Sequence, residues 1–255
     1  MTTRVVVAGV SGRTGREIAR AIALSPAMEL VGAVGGRSAG VPLASIVEGA
    51  PAGLVVGSDA ARVLEESRAE VLVDFTVAGV AERNVAAAVA AGVAPVIGTT
   101  GLGAAFRRRL AQDLKRLELG GALIANFSLG AQLLLRLGAL AREVFADAEI
   151  IELHGAHKKD RPSGSALALK ARLERIPGPE VPIHSVRLPG LVAHQEVLFG
   201  GAGEVLTIRH DAMTRDAYAP GVLRTIPYVR THPGLIEDLE PVLAAEPAHP
   251  VLVHD

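Results

Sequence analysis

The sequence has no cysteine, which excludes disulfides, iron–sulfur ligation and thiolate zinc sites. A chain without thiols suits a reducing compartment, so a cytoplasmic location is expected. Aromatic residues make up only 3% and the formal net charge is −1, which leaves neither the stacking rings nor the basic face of a nucleic-acid binder. Hydrophobic residues reach 49%, yet they fall in short runs, none of them long enough to cross a bilayer. At the N-terminus only Val5 to Val10 stand between Arg4 and a glycine loop, too little for the apolar core of a signal peptide. No membrane partner, no nucleic-acid partner and no metal are expected. With 255 residues the chain has enough length for one to two domains and a substantial core.

What is present begins with that loop. Arg4 to Ala8 is a short β-branched run that reads as a buried strand, and Arg16 to Leu24 has helix-forming composition until Ser25-Pro26. Between them stand Gly9, Val10, Ser11, Gly12, Arg13, Thr14 and Gly15. Strand, glycine turn and helix in this order open a dinucleotide-binding fold, because glycines permit the tight turn and let backbone N–H groups approach a pyrophosphate. The spacing is G-x-x-G-x-x-G rather than the commoner G-x-G-x-x-G, and a plain structural turn remains compatible with it.

Strand and helix signals then alternate. Strands are expected at Glu29–Val34, Leu54–Val56, Val71–Phe75, Ala94–Ile97 and Ala122–Ala125, and helices at Gly79–Ala91, Ala104–Leu117 and Gly130–Phe145. This rhythm predicts a parallel sheet with helices on both faces and a ligand beyond the carboxyl ends of its strands. Three of those ends carry small or polar motifs: Asp74-Phe75-Thr76, Gly98-Thr99-Thr100-Gly101, and Asn126-Phe127-Ser128 after Ala125. Each is also an ordinary capped turn, but three at equivalent ends favour a cofactor cleft. After Ala148 the rhythm changes: strands at Glu149–Leu153, Val181–Leu188, Gln195–Phe199 and Glu204–His210, with helices at Gly164–Arg175 and Ala217–Tyr228, predict a mixed or antiparallel sheet.

The densest chemistry lies where the second pattern starts. Glu152 to Ala166 collects His154, His157, Lys158, Lys159 and Asp160, then Ser163-Gly164-Ser165 at the start of an expected helix. Cations beside a helix N-terminus suit a carboxylate or phosphate ligand, and imidazole moves protons near neutral pH. A solvated polar loop would also carry these charges.

Over its whole length the chain resembles the dihydrodipicolinate (4-hydroxy-tetrahydrodipicolinate) reductases. The resemblance rests on Val7 to Gly15, Asp74-Phe75-Thr76, Val96 to Gly101, Ala125 to Gly130, Glu152 through Ala166, and Arg215-Asp216-Ala217. It implies an α/β fold, with a Rossmann-type parallel-sheet domain and a smaller α+β domain for substrate binding and oligomerisation. The implied segments are 1–126 with 216–255 for dinucleotide binding, and 127–215 for substrate binding and tetramerisation, with a C-terminal helix returning to the first domain. It implies reduction of a cyclic imine dicarboxylate by a reduced nicotinamide in lysine biosynthesis, by a homotetramer. His154 is then the proton donor, and Lys158 a proton donor that also anchors substrate. Ser163, Gly164 and Ser165 form the carboxylate turn, and Thr100 touches substrate from the cofactor side. Gly9 to Thr14, Gly98, Thr99, Thr100, Ala125, Asn126 and Phe127 would hold the cofactor. Two departures stand out: Gly155 replaces the family's second histidine, putting one carboxylate contact in doubt, and Ser165 replaces a threonine. His157 or a backbone N–H is the expected substitute for the missing contact.

The second strand ends in Gly35-Gly36-Arg37, where dinucleotide folds that prefer NAD usually carry an acid. Gly36 leaves the 2′-phosphate unopposed and Arg37 supplies a guanidinium, so NADPH is the expected cofactor, with NADH as a second option. Two other readings stay open: a dehydrogenase of another small amino or imino acid, and a nucleotide-binding sensor without catalysis.

Overall fold

The computed structural model describes residues 2–245, and these separate into two compact units. The first comprises the N-terminal segment through Phe127 together with the chain from Tyr218 onward; the second runs from Ser128 to Ala217. Residues 246–255 of the expected segment 216–255 lie outside the described residues.

The first unit is built on a parallel sheet of six strands in the order β10-β5-β4-β3-β1-β2. These are β1 (Thr3–Ala8), β2 (Met28–Val34), β3 (Val71–Asp74), β4 (Ala94–Ile97), β5 (Gly120–Leu123) and β10 (Gly234–Ile236). The central strands β3, β4 and β5 and Val5–Ala8 of β1 are buried on both faces, so they read as continuous apolar runs rather than alternating ones. Helices α1 (Arg13–Ala23), α3 (Ala78–Ala90), α4 (Ala104–Arg116) and α7 (Ala219–Thr231) cover it. α1 shows why its sequence folds this way: Gly15, Ile18, Ala19 and Ile22 recur at helical spacing and are the residues it buries. The chain reverses direction across the sheet between β1 and β3, the switch point at which such sheets leave a crevice.

Two expectations need correction, and one helix was missed. Leu54–Val56 is not a strand. Its backbone bonds to the neighbouring loop (Val56 N to Val41 O, 3.0 Å; Leu43 N to Leu54 O, 2.8 Å), and only isolated bridges touch its vicinity. Val55 bridges only to Pro42, and only Gly57 beyond the segment touches β2, at Val34. The expected Ala122–Ala125 strand is shifted two residues back, to β5. Helix α2 (Ala60–Ser67) was not anticipated, although Asp59 caps it by accepting from the Ala61 N–H at 2.8 Å.

The second unit is a mixed four-stranded sheet in the order β7-β6-β8-β9, from β6 (Asp147–Gly155), β7 (Ile183–Leu188), β8 (Ala193–Gly201) and β9 (Glu204–Ala212). β7 runs parallel to β6, while β8 and β9 are antiparallel. Ile150, Val197 and Phe199 from the sheet pack with Leu134 of α5 (Leu129–Arg142) and Leu169 and Leu173 of α6 (Gly164–Leu173). Among the described residues, no helix is long and apolar enough to cross a membrane.

Candidate active site

In the first unit, the carboxyl ends of β1, β3, β4 and β5 bring the predicted cofactor residues to one edge of the sheet. Gly9 has φ +98° and a side chain there would sit 2.5 Å from the Phe75 carbonyl oxygen, so only glycine fits. A side chain at Gly15 would meet the Gly9 carbonyl at 2.3 Å. The loop therefore folds tightly over the switch point, and the Gly12 N–H closes it on the Gly9 carbonyl at 2.8 Å. Gly12 begins α1 with no side-chain cap, leaving first-turn N–H groups for a ligand. Val10 is buried; Arg13 is exposed and Thr14 half-buried. The Ser11 hydroxyl is buried without a hydrogen-bond partner. An orphaned hydroxyl beside uncapped N–H groups fits a bound pyrophosphate.

Fully buried Asp74 organises the adjoining strand ends. Its Oδ1 accepts from the Thr76 N–H (2.9 Å), the Thr76 hydroxyl (2.7 Å) and the Thr99 hydroxyl (2.8 Å), and Oδ2 from Asn84 Nδ2 (2.8 Å). One carboxylate thus fixes the turn after β3, the start of the loop after β4, and α3. Thr99 is consequently buried and Thr100 exposed. Beyond β5, Ala125 is exposed and Asn126 half-buried, while Phe127 is buried with its ring centroid 5.8 Å from that of Phe75. Neither Asp74 nor Asn84 was singled out from the sequence as holding these loops, although Asp74 stood in a noted motif; their pairing needs α3 folded back beside the end of β3.

Arg37 lies in a short turn, Gly36–Ser38, just past β2. It is exposed and, among the described residues, has no ion-pair partner. No atom lies within 4 Å of where a Gly36 side chain would stand, so the site for the customary acid is open space rather than filled.

The second unit gathers the other predicted residues. β6 presents alternate residues inward, so Glu152 and His154 share the buried face with Ile150. His154 Nδ1 lies 2.5 Å from Glu152 Oε2, a close contact outside hydrogen-bond alignment that is an ion pair only when the ring is protonated. Arg187 of β7 donates from Nη2 to Glu152 Oε1 at 2.6 Å; its side chain is 1% exposed and that of Glu152 0%. Burial pushes the Glu152 carboxyl up, but hydrogen bonds from Arg187, Ser185 and Ser163 and the charge of His154 outweigh it, and the group is held below its ordinary range. For His154 burial is the largest influence and lowers its pKa; Lys158 and Arg187 add to this, and Glu152 opposes without prevailing. The ring is therefore neutral near pH 7.

Lys158 Nζ pairs with Asp160 Oδ2 at 2.8 Å, and Lys158 pulls the Asp160 carboxyl down. Ser163 caps α6: its buried Oγ accepts from the Ala166 N–H at 3.2 Å and lies 3.2 Å from Ser165 Oγ. Ser163 is thus occupied with the helix, whereas Gly164 is exposed and Ser165 half-buried at its first turn. His157 is exposed. Arg187 was missed from sequence. An arginine inside an expected strand is the available signal, but its partner lies 35 positions away.

Gly155 is not simply vacant. A Cβ there would come 2.9 Å from the Leu191 carbonyl oxygen, so any side chain at this position requires that backbone to give way. Gly155→Ala is expected to lower stability by about 1–2 kcal/mol, because a backbone carbonyl must shift, and thermal or urea unfolding measures it. An unaffected melting curve would show that the Leu191 loop yields freely.

Two family models match. Dihydrodipicolinate reductase, N-terminus, covers residues 3–127, and dihydrodipicolinate reductase, C-terminus, covers residues 130–243. The chain is 47% identical to the 4-hydroxy-tetrahydrodipicolinate reductase of Symbiobacterium thermophilum over 245 residues, spanning 94% of this chain and 96% of that protein. It is 43% identical to the corresponding reductase of Moorella thermoacetica over 262 residues, spanning 95% and 98%. Among solved structures, the dipicolinate-bound dihydrodipicolinate reductase from Paenisporosarcina sp. TG-14 superposes with a TM-score of 0.82 at 31% identity, covering 94% of this chain and 99% of that one.

Proposed function

The chain belongs to the dihydrodipicolinate reductase family, and on that premise we propose how its own residues carry the family's reaction. It is an NAD(P)H-dependent oxidoreductase, a 4-hydroxy-tetrahydrodipicolinate reductase of lysine and diaminopimelate biosynthesis. When bound, the reduced nicotinamide supplies the hydride that reduces the ring of the cyclic imine dicarboxylate. Gly9 to Thr14, Gly98 to Thr100 and Ala125 to Phe127 would hold the cofactor on the first unit. On the second, Lys158 and the first turn of α6 at Gly164 and Ser165 receive the substrate's carboxylates, with Ser163 fixing that turn as its cap. His154 delivers a proton to the carbon beside the reduced one. The ring is neutral in the free protein; substrate carboxylates bring negative charge towards it and favour the imidazolium it needs.

The observation that carries this reading is the convergence of a buried imidazole, an ammonium and a capped helix N-terminus in one unit. Exposed Leu188, Val205 and Leu206 on the second unit's strands support assembly into the family's homotetramer. Absence of cysteine supports a cytoplasmic home. The test is loss of nicotinamide absorbance with freshly generated cyclic imine. Turnover only with other small acids would make the chain a different dehydrogenase, and cofactor binding without any turnover would make it a sensor.

We assign the cofactor preference to NADPH, read by Arg37 across the open position at Gly36. Arg37→Ala should raise KM for NADPH, relative to NADH, by the equivalent of about 1.5–3 kcal/mol, the worth of a hydrogen bond to a charged group. Equal effects on both cofactors, or a wild-type preference for NADH, would remove Arg37 from phosphate recognition.

A further inference from the structure

We propose that Arg187 is the positioning residue that holds both His154 and Lys158, through one buried guanidinium with two arms. The proposal rests on the assignment of His154 and Lys158 above, and its test separates the two. Arg187 stands beside His154 in the β6–β7 register. Its Nη2 donates to Glu152 Oε1 at 2.6 Å and also to the Asp160 carbonyl at 2.7 Å, and Nη1 donates to the Val186 carbonyl at 2.7 Å. The first arm ends at Glu152, whose Oε2 faces His154 Nδ1 at 2.5 Å as a charge contact, so Nε2 is the nitrogen left for proton transfer. The second arm fixes the backbone of Asp160, whose carboxylate grips Lys158 Nζ. The guanidinium is too buried to meet substrate, so any influence it has on catalysis passes through these neighbours.

Stability alone is a poor account of this arrangement. Burying two charges costs desolvation that their attraction scarcely offsets, and an apolar pair of similar volume often serves a fold as well. What an apolar pair cannot do is orient an imidazole and a loop at once. Lysine lacks the planar guanidinium whose Nη2 meets both acceptors while Nη1 is anchored on the Val186 carbonyl. Glu152, Lys158 and Arg187 are the charged groups acting on His154, the first favouring its protonated form and the other two opposing it.

The experiment compares the full-length Arg187→Lys, Glu152→Gln and His154→Gln variants with NADPH and the cyclic imine, using pyridine-2,6-dicarboxylate as the inhibitor probe. Arg187→Lys should lower kcat by roughly 10–100-fold, the range for partners that orient metal-bound histidines, and weaken the probe several-fold. Glu152→Gln should lower kcat while leaving probe affinity near wild type, since the second arm survives. It should also move the alkaline limb of the kcat profile to lower pH, because losing the carboxylate lets His154 give up its proton sooner. Wild-type kcat and pH profile in both variants, with His154→Gln inactive, would overturn the role of Arg187 and leave the site assignment standing. Full activity in His154→Gln would instead overturn the assignment. If Arg187→Lys does not fold, Arg187→Gln decides: kcat and probe affinity both lowered uphold the proposal, and wild-type values of both overturn it.

Discussion

Replacing His154 with glutamine should lower kcat by roughly 10²–10⁴-fold, the usual cost of losing a general acid, while cofactor affinity stays near wild type. Glutamine preserves polarity and approximate length but cannot give up a proton. The two readouts separate because the ring belongs to the second unit, whereas the glycine loop, Asp74 and the turn after β2 belong to the first. The environment of His154 sharpens the expectation. Burial holds its pKa down, and Glu152 at 2.5 Å only partly restores it, so the imidazole is neutral when no dicarboxylate is present. A pre-steady-state measurement with NADPH should then show proton uptake on binding pyridine-2,6-dicarboxylate near pH 7, absent from His154→Gln. Unchanged kcat in the variant would remove His154 from the mechanism, and cofactor binding that collapsed with kcat would indicate a folding defect.

Legibility of the sequence followed the range of the interactions involved. The glycine loop was readable because strand, turn and helix are consecutive, and each requirement falls on the residue that meets it: Gly9 adopts φ +98° and Gly15 passes against the Gly9 carbonyl. The cap at Ser163 was readable for the same reason, since it bonds three residues ahead. Arg187 was not, because its partners Glu152 and Asp160 are reached only through the β6–β7 register. Asp74 was readable as a turn residue, but its bonds to Asn84 and Thr99 depend on α3 and β4 closing around it. Gly155 was read as a missing contact. The Leu191 carbonyl crowds the Cβ position there, and with that contact missing, affinity for the dicarboxylate has to come from other groups.

That places the burden on Lys158, and Lys158→Ala should weaken inhibition by pyridine-2,6-dicarboxylate by at least tenfold. A charge-assisted hydrogen bond is worth about 1.5–3 kcal/mol, and each 1.4 kcal/mol is about a factor of ten in affinity. The ammonium is partly exposed just beyond β6; the Lys158 backbone N–H donates to the Gly155 carbonyl at 3.0 Å, and Asp160 pairs with Nζ at 2.8 Å. It is therefore oriented before ligand arrives, and the carboxylate must share it with Asp160 or displace that residue. Lys158→Arg should recover part of the inhibition, because it restores the charge without the compact reach of an ammonium. Asp160→Asn should bind the probe at least as well as wild type, since a competitor for the same cation is neutralised. Equal inhibition in wild type and Lys158→Ala would mean that the first turn of α6 holds the dicarboxylate unaided. If Lys158→Ala weakened the probe and Lys158→Arg failed to recover any of it, the interaction would depend on ammonium geometry rather than on charge.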